Sequence, residues 1–579
     1  MIGLKRDREG VWMKKFVFRI LVCAAAFAFL LRTGGCLAKD GTGNPLKLAG
    51  NYICFEERGG AVSAVLKQGI ITVSDGRITG IAPIGEEQDD VLRMDDECVM
   101  FPGLIDLHSH VEFNSVQMWA GGENEVPWDN RFEWRRAAKY RADIGDRQAV
   151  LWSRWAEPFG KGSFAVGDLI EYFVEAQAAA GGTTLIQGYN QTDAYDTADS
   201  HEKVDFIRGT CFSRDLGVAE GRELQCLIQV FKPDVEIDPA VPKSYLPPID
   251  TSVWKETLQM SADEKNDHLS MILDSIKNKT SGGWLIHMAE GRAGKLIPGA
   301  DPYSRLEFLR FREAILSGIK NGDFTTEDVR NAHIVLIHAC GVDLTNREDY
   351  AFIRNCGIGL VWSPVSNLLL YGDTPAFYNY LGDDALCIGL GSDWSPSGSK
   401  TVWDECKFAS EFMRRHADEA SNVAEKLLKA CTWNAARMIG NADLGNIAVG
   451  VFADLFILKG GKAVNGSRET ALNTFTETGD SGVEAVIVDG RIVYADWDFL
   501  KSVKGEQLSS YGMYETEAPA LKDKYFLVPP LFEGYSFDEL YRAYTEIIKE
   551  AKLEFSLLRS SEDAVYTRVM NELKEKYCR

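Results

Sequence analysis

Histidine is scarce in this chain, with eight among 579 residues. Positive charge is also short: 63 lysines and arginines face 85 aspartates and glutamates, for a net charge of −22. That balance argues against nucleic acid or an anionic membrane surface as partner, and a small-molecule ligand fits better. None of the 12 cysteines stands in a Cys-x-x-Cys pair, which removes the usual signature of a cysteine metal site or a redox dithiol. The glycine-rich pieces "GGT" and "GLGSD" match neither a phosphate loop nor a dinucleotide fingerprint. Repeats and low-complexity tracts are missing. Hydrophobic residues at 45% leave ample material for a buried core.

The N-terminus reads as a secretory signal, residues 1–38. Lys14, Lys15 and Arg19 precede an apolar run at 20–31, too short for a comfortable membrane span, and small residues follow at 34–38. Met13 is an alternative start. Cleavage after Ala38 is the first expectation. Lipidation at Cys36, the one route to a membrane anchor, ranks lower because Thr33 stands where a lipobox carries leucine. Export, periplasmic or extracellular, follows from either. Cys340, Cys356 and Cys387 lie in apolar runs and read as buried free thiols, with one or two disulfides left open by the oxidising compartment.

Residues 47–100 are short alternating strands with a hairpin signal at Asp75-Gly76. The same texture returns over 445–496, with Asp489-Gly490. These stretches read as two halves of one small β-sandwich domain, split by a long insertion. The insertion, 101–440, alternates apolar strand-like runs with amphipathic helices and is long enough for a (β/α)₈ barrel. Asp168 with Glu171, and Ser304 with Glu307, have the spacing of capping boxes. From 500 to 579 a charged tail follows as a helical extension. In it Leu540, Tyr544, Ile547 and Ile548 recur at helical spacing.

"FPGLIDLHSH" (101–110) ends an apolar run with two of the few histidines, His108 and His110. In a strand, residues two apart share a face, and on a barrel the C-terminal strand ends form the active-site face. Three further strand-like runs finish on metal-ligand residue types. "GWLIH" ends at His287, "HIVLIH" at His338 and "LCIGLGSD" at Asp393. Imidazole and carboxylate donors suit Zn²⁺, or Fe²⁺ as second choice, with an open position for water. His201, His268 and His416 sit in polar surroundings and read as surface residues. His333 begins its strand and so belongs to the far end of the barrel.

"PGLIDLHSH", "LIHMAEG", "VLIHACGV", "WSPVSNLLLYGDTP" and "GLGSDWSPSGS" together resemble the amidohydrolase superfamily, in its cytosine-deaminase and chlorohydrolase-like branch. The resemblance covers about residues 47–496. It implies one divalent metal held by His108, His110, His287 and Asp393, and His338 as the strand-six histidine that polarises substrate or orients the nucleophile. It also implies Glu290 as the proton-shuttling carboxylate of a His-x-x-Glu element, with Asp393 accepting a proton from the attacking water. The reaction expected is hydrolysis of a non-peptide C–N bond, by deamination or by opening a cyclic or linear amide.

Two alternatives stand beside it. If Lys232, at the end of "LQCLIQVFKPD", is a carboxylated lysine, the site holds two metals and resembles a dipeptidase. The chain could instead be a non-catalytic exported binding protein that keeps the barrel. The aromatic segment after His110, with Asn114, Trp119, Trp128 and Trp134, either contacts substrate or packs its loop onto the barrel. Self-association into a homo-oligomer is compatible with the sequence, which fixes neither this nor the substrate.

Overall fold

Among the described residues, seventeen strands are arranged as one large sheet and a parallel barrel. The computed structural model describes residues 45–85, 91–111, 114–119, 127–134, 137–160, 165–187, 224–227, 268–280, 283–503, 511–514, 523–528, 532, 534–553 and 564–579. The signal-like segment, His201 and Lys232 lie outside the described residues. Residues Leu46–Arg579 form one compact unit. Among the described residues no helix is long and apolar enough to cross a membrane.

The chain opens with β1 (Leu46–Arg58), β2 (Ala61–Ser74), β3 (Arg77–Ala82), β4 (Leu92–Arg93) and β5 (Cys98–Pro102). The barrel strands follow: β6 (Leu104–Asp106), β7 (Thr183–Ile186), β8 (Leu224–Leu227), β9 (Gly283–Met288), β10 (Ile334–His338), β11 (Gly359–Trp362) and β12 (Cys387–Leu390). Then come β13 (Leu455–Lys459), β14 (Val483–Val488), β15 (Arg491–Asp496), β16 (Tyr511–Tyr514) and β17 (Lys524–Leu527).

The small β domain is one continuous sheet, in the order β16-β17-β15-β14-β13-β5-β1-β2-β3 with β4 beside β1, where two packed sheets of a sandwich were expected. Strands before and after the barrel meet directly: β5 runs antiparallel to β13, with Phe101 opposite Phe456. Both Asp-Gly pairs make tight hairpins, with φ of 50° and 76° at Asp75 and Gly76, and 51° and 75° at Asp489 and Gly490. Two successive positive φ values are what the favoured two-residue hairpin turn requires. One face of the sheet buries Leu48, Ile71, Ile78, Met100, Leu455, Ile457 and Ile487.

Seven barrel strands lie among the described residues. β6 pairs with β7 in parallel, and β8 to β12 form a parallel run in chain order. A parallel bridge between Ser109 and Asp393 joins the two ends. Alternation divides the side chains. Ile105, Leu185, Leu285, Val335, Ile337 and Val361 pack with Ala435, Ala436 and Met438, whereas Leu104, Ile286, Leu336 and Leu360 join the larger core on the other face.

Two helix starts differ from expectation. The helix Val166–Ala180 begins two residues before Asp168, whose carboxylate accepts from the Ala165 N–H at 2.6 Å. In the helix Pro302–Asn321 the cap is Asp301, accepting from the Ser304 N–H at 2.8 Å, and Pro302 occupies the first turn. Proline there fixes φ and needs no N–H partner, so the helix starts earlier than a Ser304 cap allows.

The C-terminal region is not wholly helical, because β16 and β17 extend the sheet. Helices Phe537–Glu550 and Ala564–Tyr577 follow. Leu540, Tyr544, Ile547 and Ile548 are buried, and the Tyr544 ring stacks on Phe173 with centroids 4.8 Å apart. Cys54, Cys98, Cys340, Cys356, Cys387, Cys406, Cys431 and Cys578 are free thiols.

Candidate metal centre

The two histidines of "LHSH" lie just beyond the regular part of their strand. β6 ends at Asp106, and Ser109 keeps only its bridge to Asp393. The pair is therefore aimed by side-chain anchoring rather than by strand alternation. Asp106 is fully buried and accepts from the His108 N–H and the Ser392 N–H, each at 3.1 Å, and from Ser392 Oγ at 2.5 Å. Burial pushes its carboxyl up to about 7 against those hydrogen bonds. One buried side chain thus holds the first and last strand ends together. Asn114 adds a second tie, donating to Ser109 Oγ at 2.9 Å and accepting from the Ser395 N–H at 3.0 Å.

His108, His110, His287 and Asp393 converge, with one ligand atom from each lying within 4.8 Å of the others. Nε2 of His108 is 3.1 Å from Nε2 of His287 and 2.9 Å from Asp393 Oδ1. Nε2 of His287 is 3.3 Å from Nε2 of His110. All four residues are buried. Burial lowers His108, against the pull of Asp393, and it lowers His287 well below the usual range with help from the neighbouring rings. Burial alone would raise Asp393, but the charge of and hydrogen bond from His108 outweigh it and hold the carboxylate ionised.

His108 Nδ1 sits 2.8 Å from Ser363 Oγ, an arrangement that fixes the ring while Nε2 faces the cluster. Imidazoles this close, with their nitrogens directed at one another and at a carboxylate, make a donor set that a cation satisfies better than water does. The residues fit one divalent metal.

His338 and Glu290 flank the cluster. His338 Nδ1 lies 3.0 Å from Asn367 Oδ1, and its Nε2 faces Asp393 Oδ2 at 3.8 Å and Glu290 Oε2 at 3.7 Å. Since Asn367 Oδ1 can only accept, Nδ1 carries the proton and Nε2 is the nitrogen turned to the site. The backbone turns sharply at these strand ends: φ is 62° at His338, 47° at Ala339 and 63° at Asp393. Left-handed backbone at non-glycine residues is costly, and here it occurs where the chain leaves the barrel wall with its functional side chain.

Four neighbours carry no sequence signal for a place at this site, Glu307 having only its capping-box spacing with Ser304. Tyr371 donates to Glu290 Oε1 at 2.6 Å. Arg131, fully buried, places Nη1 3.7 Å from Glu290 Oε2 and Nη2 3.3 Å from Glu307 Oε1. Glu307 also accepts from the Ala289 N–H at 2.7 Å, so it serves the site rather than a helix cap. Glu405, raised well above the usual range by burial, accepts from the Val365 N–H and from Ser399 Oγ beneath the barrel mouth.

The aromatic segment packs onto the barrel. Trp134 stacks on Trp394 with centroids 5.5 Å apart, Trp119 is buried, and the Trp128 N–H reaches the Leu370 carbonyl at 2.9 Å. His333 stands at the start of β10, its ring against Gly440. His416 is not a plain surface residue: it stacks on Phe412 and meets the Tyr577 carbonyl at 2.7 Å.

The model of the amidohydrolase family matches residues 271–493. The chain is 21% identical to the 5'-deoxyadenosine deaminase of Methanosarcina mazei over 438 residues, covering 75% of this chain and 89% of that one. It is 23% identical to the 5-methylthioadenosine/S-adenosylhomocysteine deaminase of Dictyoglomus thermophilum over 437 residues, covering 73% and 87%. Its fold is similar to a zinc-bound adenosine deaminase from Xanthomonas campestris, with a TM-score of 0.50, 14% identity, and coverage of 88% and 98%. A triazine hydrolase variant gives a TM-score of 0.51 at 15% identity, covering 87% and 99%.

Proposed function

The chain belongs to the amidohydrolase superfamily, as a hydrolase of carbon–nitrogen bonds other than peptide bonds, and we propose that it deaminates an aminated nitrogen heterocycle. The observation that carries this reading is the Glu290 carboxylate. It is buried, three residues after His287, and its Oε2 lies 3.7 Å from His338 Nε2 beside the four-residue donor set. Deamination needs a proton delivered to the leaving nitrogen, and a buried carboxylate at this place can supply it. The deaminase relatives, whose names specify adenosine-type substrates, favour a purine nucleoside as the first compound to test.

In this reading His108, His110, His287 and Asp393 hold one divalent metal, zinc in the first instance. When bound, it supplies positive charge and a water acidic enough to attack near neutral pH. Asp393 Oδ2 takes a proton from the attacking water. His338 Nε2, an acceptor in the tautomer that Asn367 sets, faces the attacking water and helps orient it. Glu290 Oε2 holds the proton that the leaving nitrogen receives. Water adds at the ring carbon, the C–NH₂ bond breaks, and ammonia and the oxo product leave.

The basic and apolar N-terminal segment supports an exported enzyme. N-terminal sequencing of the mature protein from its native cell tests this, with a start at residue 39 expected.

Metal analysis of the purified protein, coupled to ammonia release from adenosine, 5'-deoxyadenosine, guanine and cytosine, tests the function. About one zinc or iron per chain and turnover lowered by Glu290→Gln at least about 100-fold to a small residual rate are expected. A protein that binds no divalent metal, or releases no ammonia from any of the four, would overturn the reading.

A further inference from the structure

We infer that Trp134 and Tyr371 form a one-way hydrogen-bond relay that decides which oxygen of Glu290 carries the proton, making Tyr371 a positioning residue. The inference rests on the deaminase reading of Glu290 given above.

The direction of the relay follows from what each group can do. An indole Nε1–H can only donate. Trp134 Nε1 lies 3.0 Å from the Tyr371 hydroxyl oxygen, so that oxygen accepts. The tyrosine hydrogen then goes to its other partner, Glu290 Oε1, 2.6 Å away. Tyr371 is fully buried, and burial with the nearby carboxylate raises its phenol well above the usual range, so it stays a donor.

A proton placed on Glu290 Oε1 would set two donors against each other and leave one buried O–H unsatisfied, which is costly. A proton that Glu290 takes up therefore sits on Oε2. That is the oxygen facing His338 Nε2 and Arg131 Nη1, each at 3.7 Å. A phenylalanine at 371 would fill the same space, so packing alone does not call for the hydroxyl.

The relay is built from two segments that the sequence keeps far apart. Tyr371 ends the helix Pro364–Tyr371, which Gly372 terminates at a φ of 63°. The same helix carries Asn367, which holds His338. Two residues on, Asp373 accepts from the N–H groups of Lys295 and Leu296, with Oδ1 2.8 Å from the latter, and so anchors the loop that follows Glu290. One short segment thus registers both acid–base side chains. Trp134 comes from the opposite side, in the segment after β6, braced by its stacking on Trp394 next to Asp393.

The test uses the full-length, metal-loaded protein and ammonia release from adenosine and 5'-deoxyadenosine. Tyr371→Phe should keep its metal and its cooperative unfolding, leave KM within about twofold, and lower kcat about 10- to 100-fold. Trp134→Phe, which frees the direction of the hydroxyl without removing it, should lower kcat by a smaller factor. Adding Tyr371→Phe to Glu290→Gln should change the residual rate by less than about twofold, because the two act through one carboxylate. A Tyr371→Phe protein with unchanged kcat, or one whose loss is fully additive with that of Glu290→Gln, overturns the relay. Should Tyr371→Phe not fold, an unchanged kcat in Trp134→Phe overturns it equally. Wild-type protein that releases no ammonia, or Glu290→Gln protein that releases it at full rate, sinks the deaminase reading and the relay with it. Turnover lost in Glu290→Gln but untouched in Tyr371→Phe sinks the relay alone.

Discussion

The Asp393 N–H donates to the His108 carbonyl at 2.7 Å, and the side chains of the same two residues meet with His108 Nε2 2.9 Å from Asp393 Oδ1. Backbone and side chain close the barrel at one point. The first and last strand ends are therefore held in register by the residues that would share a metal.

Ser363 is the partner that orients His108, with its Oγ 2.8 Å from Nδ1. Ser363→Ala leaves the ring without that partner while the four donors stay in place. Metal affinity should fall about 10-fold or more, the usual effect of losing such an orienting contact. Competition with a chromophoric chelator measures it, and an unchanged affinity would show that the ring is held by packing alone.

Removing the metal should loosen the protein. A ligand that binds only the folded state adds about 3 kcal/mol of stability when present at about 100 times its dissociation constant. Chelation of the loaded protein should lower its thermal midpoint by about 3 °C, using an unfolding entropy of about 2 cal/mol/K per residue over the single unit Leu46–Arg579. His287→Ala protein should begin at the lower midpoint and not respond to chelator. Scanning calorimetry of both proteins, with and without chelator, decides it.

Asp301 gives a pH-dependent contribution of known sign. Burial raises its carboxyl to about 6, against hydrogen bonds from Ser304 and Asn130. Its folded-state value thus lies above the ordinary 3.8. The contribution is fully present below about pH 4 and is lost as pH rises through about 6, worth on the order of 3 kcal/mol at about 1.4 kcal/mol per unit. Asp301→Asn keeps a good helix cap and removes the titration. Urea midpoints measured from pH 4 to 7 should decline with rising pH more steeply in the wild type than in the variant. Parallel curves would refute the assignment.

Gly103 joins β5 to β6 where the chain passes from the sheet into the barrel. A Cβ on this residue would overlap the Thr184 side chain on β7. Gly103→Ala should cost about 1–3 kcal/mol, as overpacking of a tight interior does. Because β6 leads directly to His108, the variant should also bind metal more weakly than wild type. Urea unfolding and metal titration on the same preparation test both effects.

The candidate ligand residues were legible in the sequence because each follows an apolar strand-like run, and parallel strands of a barrel bring their C-terminal ends to one face. Their neighbours were not. Arg131 looks like one charge among several in an aromatic loop, and Tyr371 like one apolar position at a helix end. Glu307 has capping-box spacing with Ser304, yet Pro302 starts the helix earlier and sends that carboxylate to the Ala289 N–H and Arg131. The last two strands were hidden for another reason: β16 and β17 are four residues each and are defined by pairing with each other and β15, which no local pattern records.

Taken alone, the sequence determined a barrel-length α/β insertion between two β stretches, and marked His108, His110, His287, His338 and Asp393 as candidate site residues at strand ends, since periodicity and residue type are local properties. Tertiary structure decided what those residues touch. Trp134 and Tyr371 lie 237 residues apart and Tyr371 and Glu290 lie 81 apart, and only packing of the segment after β6 against the ends of β9 and β11 brings them into one hydrogen-bonded line. Hydrogen bonds act over about 3 Å, and sequence separation carries no information on that scale.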